Sequence, residues 1–178
     1  MKVAETRWIK RHLEICHLIS TWSKDPNTKV GSVIVTEDGK PRSWGFNGIP
    51  MGVADHPDRF KKPAKYNFFA HAERNAIDLS ESNLHGCVLF CTHTPCSACA
   101  ASIVNNQIKE VYVDGSNGFL KGSFVYRNDT SIECHFASLE MFTESGVGYY
   151  EFEYSDTQNL YKITKNKGES IDVHKISS

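Results

Sequence analysis

The sequence contains no apolar run long enough to cross a membrane, and its opening, MKVAETRWIK, has no apolar stretch typical of a secretory signal. We therefore expect a cytoplasmic protein without a membrane partner. It also has no excess of basic charge, since its formal net charge is −1. Chains that hold a long nucleic acid are more often basic, so this balance weakly favours a small-molecule substrate over a polymeric nucleic acid. Internal repeats are absent as well.

The cysteine pattern is incomplete for a structural zinc ribbon. Only one C-x-x-C pair occurs, Cys96 and Cys99, and no second pair completes a four-cysteine site. Without a secretory signal, the six cysteines favour metal binding or catalysis over a disulfide framework. Cys16, Cys87 and Cys91 fall on apolar faces of predicted elements, and we predict that they are core residues.

The length of 178 residues, with 40% hydrophobic and 23% charged residues, suits one globular domain. Periodicity predicts helices over 6–23, 72–80, 96–106 and 131–145, and strands over 29–36, 42–47, 86–92, 109–114 and 147–154. The alternation of strands and helices implies parallel neighbours in a sheet that helices cover. We predict an α/β fold in three layers (α-β-α) over residues 1–155. The polar segment 156–178 is predicted to be a tail that is loosely held or used in assembly.

Two further features of the chain bear on this prediction. In the last predicted helix, Ile132, Phe136 and Leu139 share one face, and Gly146 provides a natural stop. The polar stretch 48–66, which contains three prolines, is too long for an idle connection in a compact domain, so we expect it to be functional or partly ordered.

Two short stretches carry candidate chemistry. His71 and Glu73 flank one alanine in HAERNAI, at the predicted start of a helix. Cys96 and Cys99 follow Pro95 in TPCSACA, at the start of another helix. Because the N-terminus of a helix is partly positive, it lowers the pKa of a thiol and favours the thiolate. One imidazole and two thiolates would hold zinc and leave a fourth position for water, whose pKa falls to about 7 there. Glu73 points to another side of the helix and can transfer protons beside that water without being a ligand.

The two stretches together match a broader signature. H-x-E followed by P-C-x-x-C, here with 24 residues between His71 and Cys96, is typical of zinc-dependent nucleobase deaminases. With DPNTKVGSVIV and GFNG upstream and IKEVYV downstream, the sequence resembles the cytidine deaminase superfamily and, within it, the deoxycytidylate (dCMP) deaminases. The resemblance covers residues 25–114. It implies a mixed five-stranded sheet sandwiched between helices, in agreement with the periodicity.

The resemblance also implies an activity. It is the zinc-dependent hydrolysis of dCMP to dUMP and ammonia, with one zinc ion held by His71, Cys96 and Cys99. Glu73 would be the catalytic proton shuttle. It would protonate N3 of cytosine and then help ammonia to leave.

Substrate contacts follow from the same resemblance. The backbone N–H of Ala72 would hold the pyrimidine carbonyl, and Asn47 in GFNG would contact the sugar. His93, close to the P-C motif, is a candidate for the pocket wall. Candidates for binding the phosphate are the basic residues Lys29, Arg74 and Arg127, with Thr28 beside Lys29. The basic run RFKKPAK could equally bind phosphate or be a solvated loop.

Regulation is a further implication. The family resemblance implies a homo-oligomer, often a hexamer, that dCTP activates and dTTP inhibits, each triphosphate acting with Mg²⁺. The effector loop would comprise Gly45, Phe46, Asn47 and Gly48. Phe46 departs from the tyrosine that many members carry.

Two alternatives remain open at this point. The first is another superfamily enzyme, either a tRNA adenosine deaminase or a riboflavin-pathway deaminase. The near-neutral charge and the long segment before H-A-E argue against the tRNA enzyme, and the lack of a following reductase domain argues against the riboflavin enzyme. The second is a non-catalytic zinc module used in assembly, which would have no need of Glu73.

Overall fold

The computed structural model describes residues 5–118, 129–155, 160–165 and 170–171. In these ranges, helices α1–α5 are Thr6–Ser20, Lys65–Phe68, Ala72–Asp78, Ser97–Asn105 and Asp129–Ser145. Strands β1–β7 are Gly31–Val35, Pro41–Phe46, Val88–Cys91, Glu110–Asp114, Gly148–Ser155, Leu160–Lys165 and Ser170–Ile171. Short 3₁₀ turns span Pro57–Phe60 and Gly115–Asn117. Every helix and strand predicted from periodicity is present.

The seven strands form one mixed sheet in the order β2-β1-β3-β4-β5-β6-β7. β3, β4 and β5 are parallel, as predicted, whereas β1 pairs antiparallel with both β2 and β3. The five-stranded sheet expected from the sequence is confirmed as β1–β5. β6 and β7 extend it, although they lie in the segment 156–178 that we expected to be a tail. An edge strand offers unpaired backbone N–H and C=O groups, and β6 pairs with those of β5.

Helices cover both faces of the sheet because alternate strand residues point in opposite directions. On one face, α1 packs on residues such as Val33, Val35 and Phe90. On the other face, Ile34, Leu89 and Cys91 pack against buried residues of α3, α4 and α5. The α-β-α layering is therefore confirmed. The three cysteines predicted to be core residues, Cys16, Cys87 and Cys91, are all buried.

The end of α5 confirms one prediction and corrects another. Gly146 adopts φ +77°, a conformation that glycine tolerates and other residues rarely adopt, and the chain then turns into β5. The prediction that Phe136 lies on the apolar face of α5 is wrong, because its side chain is 60% exposed. Among the residues of α5 whose burial is described, Phe142 is a large apolar side chain that is completely buried.

Two features of the fold position the candidate site. The parallel strands β3 and β4 end at the same edge of the sheet, and the turn after β3 leads into α4. The segment between β2 and α3 returns to its own beginning, since Gly48 and Ala70 exchange backbone hydrogen bonds of 3.1 and 2.9 Å. This bridge fixes the chain immediately before His71. None of the helices in the described ranges is long and apolar enough to cross a membrane.

Candidate zinc and active site

His71 is the residue that precedes the first turn of α3. Its backbone is extended, with φ −77° and ψ 157°, and its carbonyl accepts a hydrogen bond of 2.9 Å from the N–H of Asn75. The side-chain amide of Asn75 donates to the carbonyl of Phe46 at 2.7 Å. The start of α3 is thereby tied to the end of β2, which restricts the position of the imidazole.

Cys96 and Cys99 occupy the corresponding part of α4. Cys96 has an extended backbone and precedes the first helical residue, while Cys99 lies in the first turn. The hydroxyl of Ser138, on α5, donates to the carbonyl of Pro95 at 2.9 Å. This bond holds the approach to α4 against α5. Because α4 begins at Ser97, Pro95 precedes the helix by two residues, close to the position predicted for it.

Three side chains from these two helix starts converge on one point. The Nδ1 atom of His71 lies 3.3 Å from Sγ of Cys96 and 3.5 Å from Sγ of Cys99. All three candidate ligand atoms lie within 4.8 Å of one another. Zinc–nitrogen and zinc–sulfur bond lengths in a tetrahedral site place N and S about 3.6 Å apart. The nitrogen and sulfur donors therefore fit zinc both in type and in spacing.

The electrostatics of the metal-free cluster follow from these contacts. A hydrogen bond from Cys99, together with one from His71, lowers the pKa of Cys96 to about 3. The thiol of Cys99 donates that bond, and its pKa is raised as a result, with burial adding to the effect. The bond to Cys96 raises the pKa of His71 to about 9, although burial opposes it. The cluster thus combines a thiolate, a thiol and an imidazolium.

Glu73 is buried beside this cluster, with 4% of its surface exposed. Burial raises the pKa of its carboxyl, while the charge of His71 opposes that shift. A carboxyl with a raised pKa exchanges protons more readily near neutral pH. Among the described residues, the cluster of candidate metal ligands consists of His71, Cys96 and Cys99, so Glu73 lies next to it without completing it.

A cleft of about 260 Å³ opens onto these residues. His71, Glu73 and Cys96 form part of its wall, and Tyr66, Phe69 and Val30 add apolar surface. A partly apolar cleft with a few convergent polar groups is the usual form of a small-molecule site. The open side of the three-ligand cluster can therefore be reached by a small substrate.

Comparison with known proteins identifies the family. Residues 6–114 match the cytidine and deoxycytidylate deaminase zinc-binding region. The chain belongs to this family. An uncharacterized deaminase of Aliivibrio fischeri is 39% identical over 142 residues, which make up 80% of this chain and 91% of that one.

Two further relatives are more distant. The deoxycytidylate deaminase of Homo sapiens is 34% identical over 111 residues, and the match spans 58% of this chain and 62% of the human enzyme. A crystal structure of the dCMP deaminase of cyanophage S-TIM5, in complex with dCMP and dUMP, aligns with a TM-score of 0.62 and 25% identity. That alignment covers 83% of this chain and 98% of the phage chain. The cytidine deaminase-like fold is thereby confirmed.

The structure brings some of the predicted substrate-binding residues into the cleft. Thr28, Asn47, Ala72 and His93 line it. Lys29 does not, because its exposed side chain reaches toward the carbonyl of Thr21. Arg74, also considered for the phosphate, pairs with Asp78 on the exposed side of α3, with Nε 2.7 Å from a carboxylate oxygen. Arg127 lies outside the described residues.

The side chain of Asn47 makes three hydrogen bonds within the protein. Its amide donates to Asp25 at 3.2 Å and to the carbonyl of Thr28 at 2.9 Å, and its Oδ1 accepts from the N–H of Val30 at 2.8 Å. Since an amide oxygen accepts two hydrogen bonds, one acceptor position remains for a ligand.

Several polar residues of the cleft were not identified individually from the sequence, among them His135, Asp25 and Lys65. His135 on α5 lines the cleft, although no motif in the sequence indicates a functional role for it. Asp25 and Lys65 line it as an ion pair. Lys65 was included among the possible phosphate ligands predicted from the sequence, because it is the last residue of the basic run RFKKPAK. The sequence offered no means of choosing it over its neighbours.

Proposed function

We propose that this protein catalyses the zinc-dependent hydrolysis of dCMP to dUMP and ammonia. The observation that carries the proposal is the open cluster of His71, Cys96 and Cys99 with the buried carboxyl of Glu73 beside it. Membership of the deaminase family supports the reaction type. The human relative and the cyanophage structure, which bear dCMP deaminase names, support the substrate.

The three ligands suit a catalytic rather than a structural zinc. Structural zinc sites have four protein ligands, whereas catalytic sites commonly have three. When bound, zinc supplies a Lewis acid that makes water a better nucleophile near neutral pH. His71 and the two cysteines would hold the ion at the floor of the cleft.

Glu73 would transfer the protons of the reaction. Its carboxylate would take a proton from the attacking water and deliver it to N3 of cytosine. It would then carry the second proton of that water to the exocyclic amino group, which leaves C4 as ammonia while C4 gains a carbonyl oxygen. The raised pKa of Glu73 suits a group that both accepts and donates protons near neutrality.

Backbone and side-chain groups around the cluster would orient the nucleotide. The N–H of Ala72 lies in the first turn of α3, where a helix has no internal acceptor for it, and would donate to the pyrimidine carbonyl. The remaining acceptor position of Asn47 Oδ1 would accept a hydrogen bond from a sugar hydroxyl. Thr28 would contribute a polar contact on the same wall.

Regulation forms a second part of the proposal. We infer a homo-oligomer, of the hexameric kind implied by the family resemblance, that dCTP activates and dTTP inhibits with Mg²⁺. Residues 45–48 would be the responsive loop. Gly48 bonds to Ala70, which directly precedes His71, so a movement of this loop would reach the start of α3. That contact offers a physical route from an effector to the zinc ligand.

A panel of cytosine compounds tests the proposed reaction. Zinc-loaded protein would be incubated with dCMP, CMP, deoxycytidine, cytidine and cytosine, and conversion followed by ultraviolet absorbance. We expect the highest kcat/KM for dCMP, with one ammonia released per dUMP. Preference for another compound, or no turnover of any, would overturn the proposed substrate. An adenosine-containing tRNA anticodon stem and a riboflavin-pathway pyrimidine would be added to test the alternative family activities.

A further inference from the structure

The cleft contains a charged pair that the proposed zinc chemistry does not use. Asp25 follows α1 in the D-P-N turn, and Lys65 is the first residue of α2. The ammonium group of Lys65 bonds to Oδ2 of Asp25, and the two side chains are 14% and 0% exposed. Both residues line the cleft that holds His71 and Glu73.

The carboxylate of Asp25 accepts hydrogen bonds from groups other than Lys65. Its Oδ1 accepts hydrogen bonds from the N–H groups of Asn27 and Thr28 at 2.9 and 3.3 Å, and its Oδ2 accepts from Asn47 at 3.2 Å. Burial alone would raise the pKa of this carboxyl, yet the bonds from Lys65, Asn27 and Thr28 hold the pKa below its usual value. The carboxylate thus has three hydrogen-bond donors besides the ammonium, so Lys65 is not the only group that stabilises its negative charge.

Lys65, in contrast, retains hydrogen-bonding capacity. An ammonium has three donors, and the contacts with described residues use one of them, the bond to Asp25. The ring of Phe69 lies 5.3 Å from Nζ and limits where the side chain can go. The ammonium is therefore held at the cleft wall with donors to spare.

Lys65 is also the only lysine or arginine among the described residues that line the cleft. Neighbouring basic residues are directed elsewhere. Lys61, in the same basic run, pairs with Asp58 at 2.9 Å and is 73% exposed. Burial lowers the pKa of His93, another cleft residue, which disfavours its cationic form.

We propose that Lys65, held in place by Asp25, binds the 5′-phosphate of the nucleotide and makes the site selective for nucleotides over nucleosides. The inference rests on the proposed function and assigns one of its specificity determinants. A phosphate needs a cationic donor, and a charge-assisted bond is stronger in a partly dehydrated cleft than in water. The surplus donors of Lys65 meet that need, while Asp25 fixes the ammonium at the wall.

The test measures kcat/KM for dCMP and for deoxycytidine, and the selectivity is their ratio. Lys65→Met removes the ammonium. The double variant Asp25→Asn/Lys65→Met removes both charges, so that no buried carboxylate is left without its cation if the single variant folds poorly. Lys61→Met is the matched control, because it removes a lysine of the same run that lies outside the cleft. Dissociation constants of dUMP and deoxyuridine, measured by calorimetry, give a second ratio that does not depend on turnover.

We expect both ratios to fall by about 10- to 100-fold in the Lys65→Met and double variants, the range for losing one hydrogen bond to a charged group. Lys61→Met should leave them unchanged. If Lys65 only fastens α2 to the D-P-N turn, dCMP and deoxycytidine will lose activity in parallel, and the inference is overturned. A wild-type enzyme that fails to deaminate dCMP would instead overturn the proposed function, so the two failures are distinguishable.

Discussion

The Nδ1 atom of His71 lies 3.3 Å from Sγ of Cys96, and each of these residues stands immediately before the first turn of a different helix. Both residues have an extended rather than a helical backbone. Because α3 and α4 begin beside each other, the two side chains meet although 24 residues separate them in the chain. The geometry of the candidate metal site therefore depends on the relative position of the starts of α3 and α4.

Removing one ligand should remove the metal. Purified wild-type protein is expected to contain about one zinc per chain, and His71→Ala or Cys99→Ala to contain much less, because two remaining ligands bind zinc weakly. Elemental analysis after dialysis measures this content. Cys87→Ala is the control, since Cys87 is buried in the core outside the three-ligand cluster. A zinc-loaded structure with a fourth protein ligand would contradict the open-site mechanism.

Replacing Glu73 should separate metal binding from catalysis. Glu73→Gln keeps the shape of the side chain and removes its ability to shuttle protons. Turnover of dCMP should fall by about 10²- to 10⁴-fold, the usual contribution of general acid–base catalysis. Zinc content and the melting temperature should change little. A variant that retains a near wild-type rate would remove Glu73 from the mechanism.

Zinc binding should release protons. At pH 7 the metal-free cluster carries a proton on His71, whose pKa is raised to about 9, and one on Cys99, whose pKa is also raised. Cys96, with its pKa lowered to about 3, is already a thiolate. Since zinc requires the neutral imidazole and both thiolates, about two protons should leave per zinc near neutral pH.

The direction of the pH dependence follows from the same shifts. Protons compete with zinc below the raised pKa values, so the affinity should increase with pH. The increase should become less steep above about pH 9, where His71 loses its proton without metal while Cys99 still holds one. Calorimetric titrations in buffers of different ionisation enthalpy measure the number of protons released. Release of no protons at pH 7 would contradict this description of the cluster.

The two glycines of the proposed effector loop should differ in their tolerance of alanine. A Cβ atom at Gly45 would lie 2.4 Å from the carbonyl oxygen of Ala72 and 2.5 Å from the nitrogen of Ala76, both in the backbone of α3. Gly45→Ala should therefore lower the free energy of unfolding by about 1–3 kcal/mol and displace the helix that carries Glu73.

Gly48→Ala is the matched control. A Cβ at Gly48 meets no atom within 4 Å in the described part of the chain, so its effect should stay within about 1 kcal/mol. Urea denaturation of both variants measures the difference. Equal stabilities would show that β2 can move away from α3 without cost.

Effectors should shift the dCMP concentration that gives half-maximal rate. With Mg²⁺ present, dCTP is expected to lower it and dTTP to raise it, by an amount corresponding to about 1–3 kcal/mol of coupling. Initial rates across a range of dCMP concentrations measure the shift, and dATP serves as a control triphosphate. Hyperbolic curves that neither effector moves would mean that this chain lacks the regulation.

Local patterns in the sequence were sufficient to predict the framework of the protein. Periodic apolar residues determine which face of a helix or strand is buried, and this is why α1, α3, α4, α5, β1–β5 and the three-layer arrangement were predicted, whereas the short helix α2 was not. The candidate ligands His71, Cys96 and Cys99 were predictable for a related reason. Each lies at a helix start, and their residue types and spacing indicate one kind of metal site.

Contacts between distant segments were decided by the tertiary structure alone. Asp25 and Lys65 belong to residue types that usually lie in solvent, and no pattern marks them as partners across the 39 residues between their positions. The amide of Asn47 looked available in the sequence, yet packing directs most of its hydrogen bonds to Asp25, Thr28 and Val30. Burial and pairing of such side chains depend on which loops fold against each other, and that is a property of the packed chain as a whole.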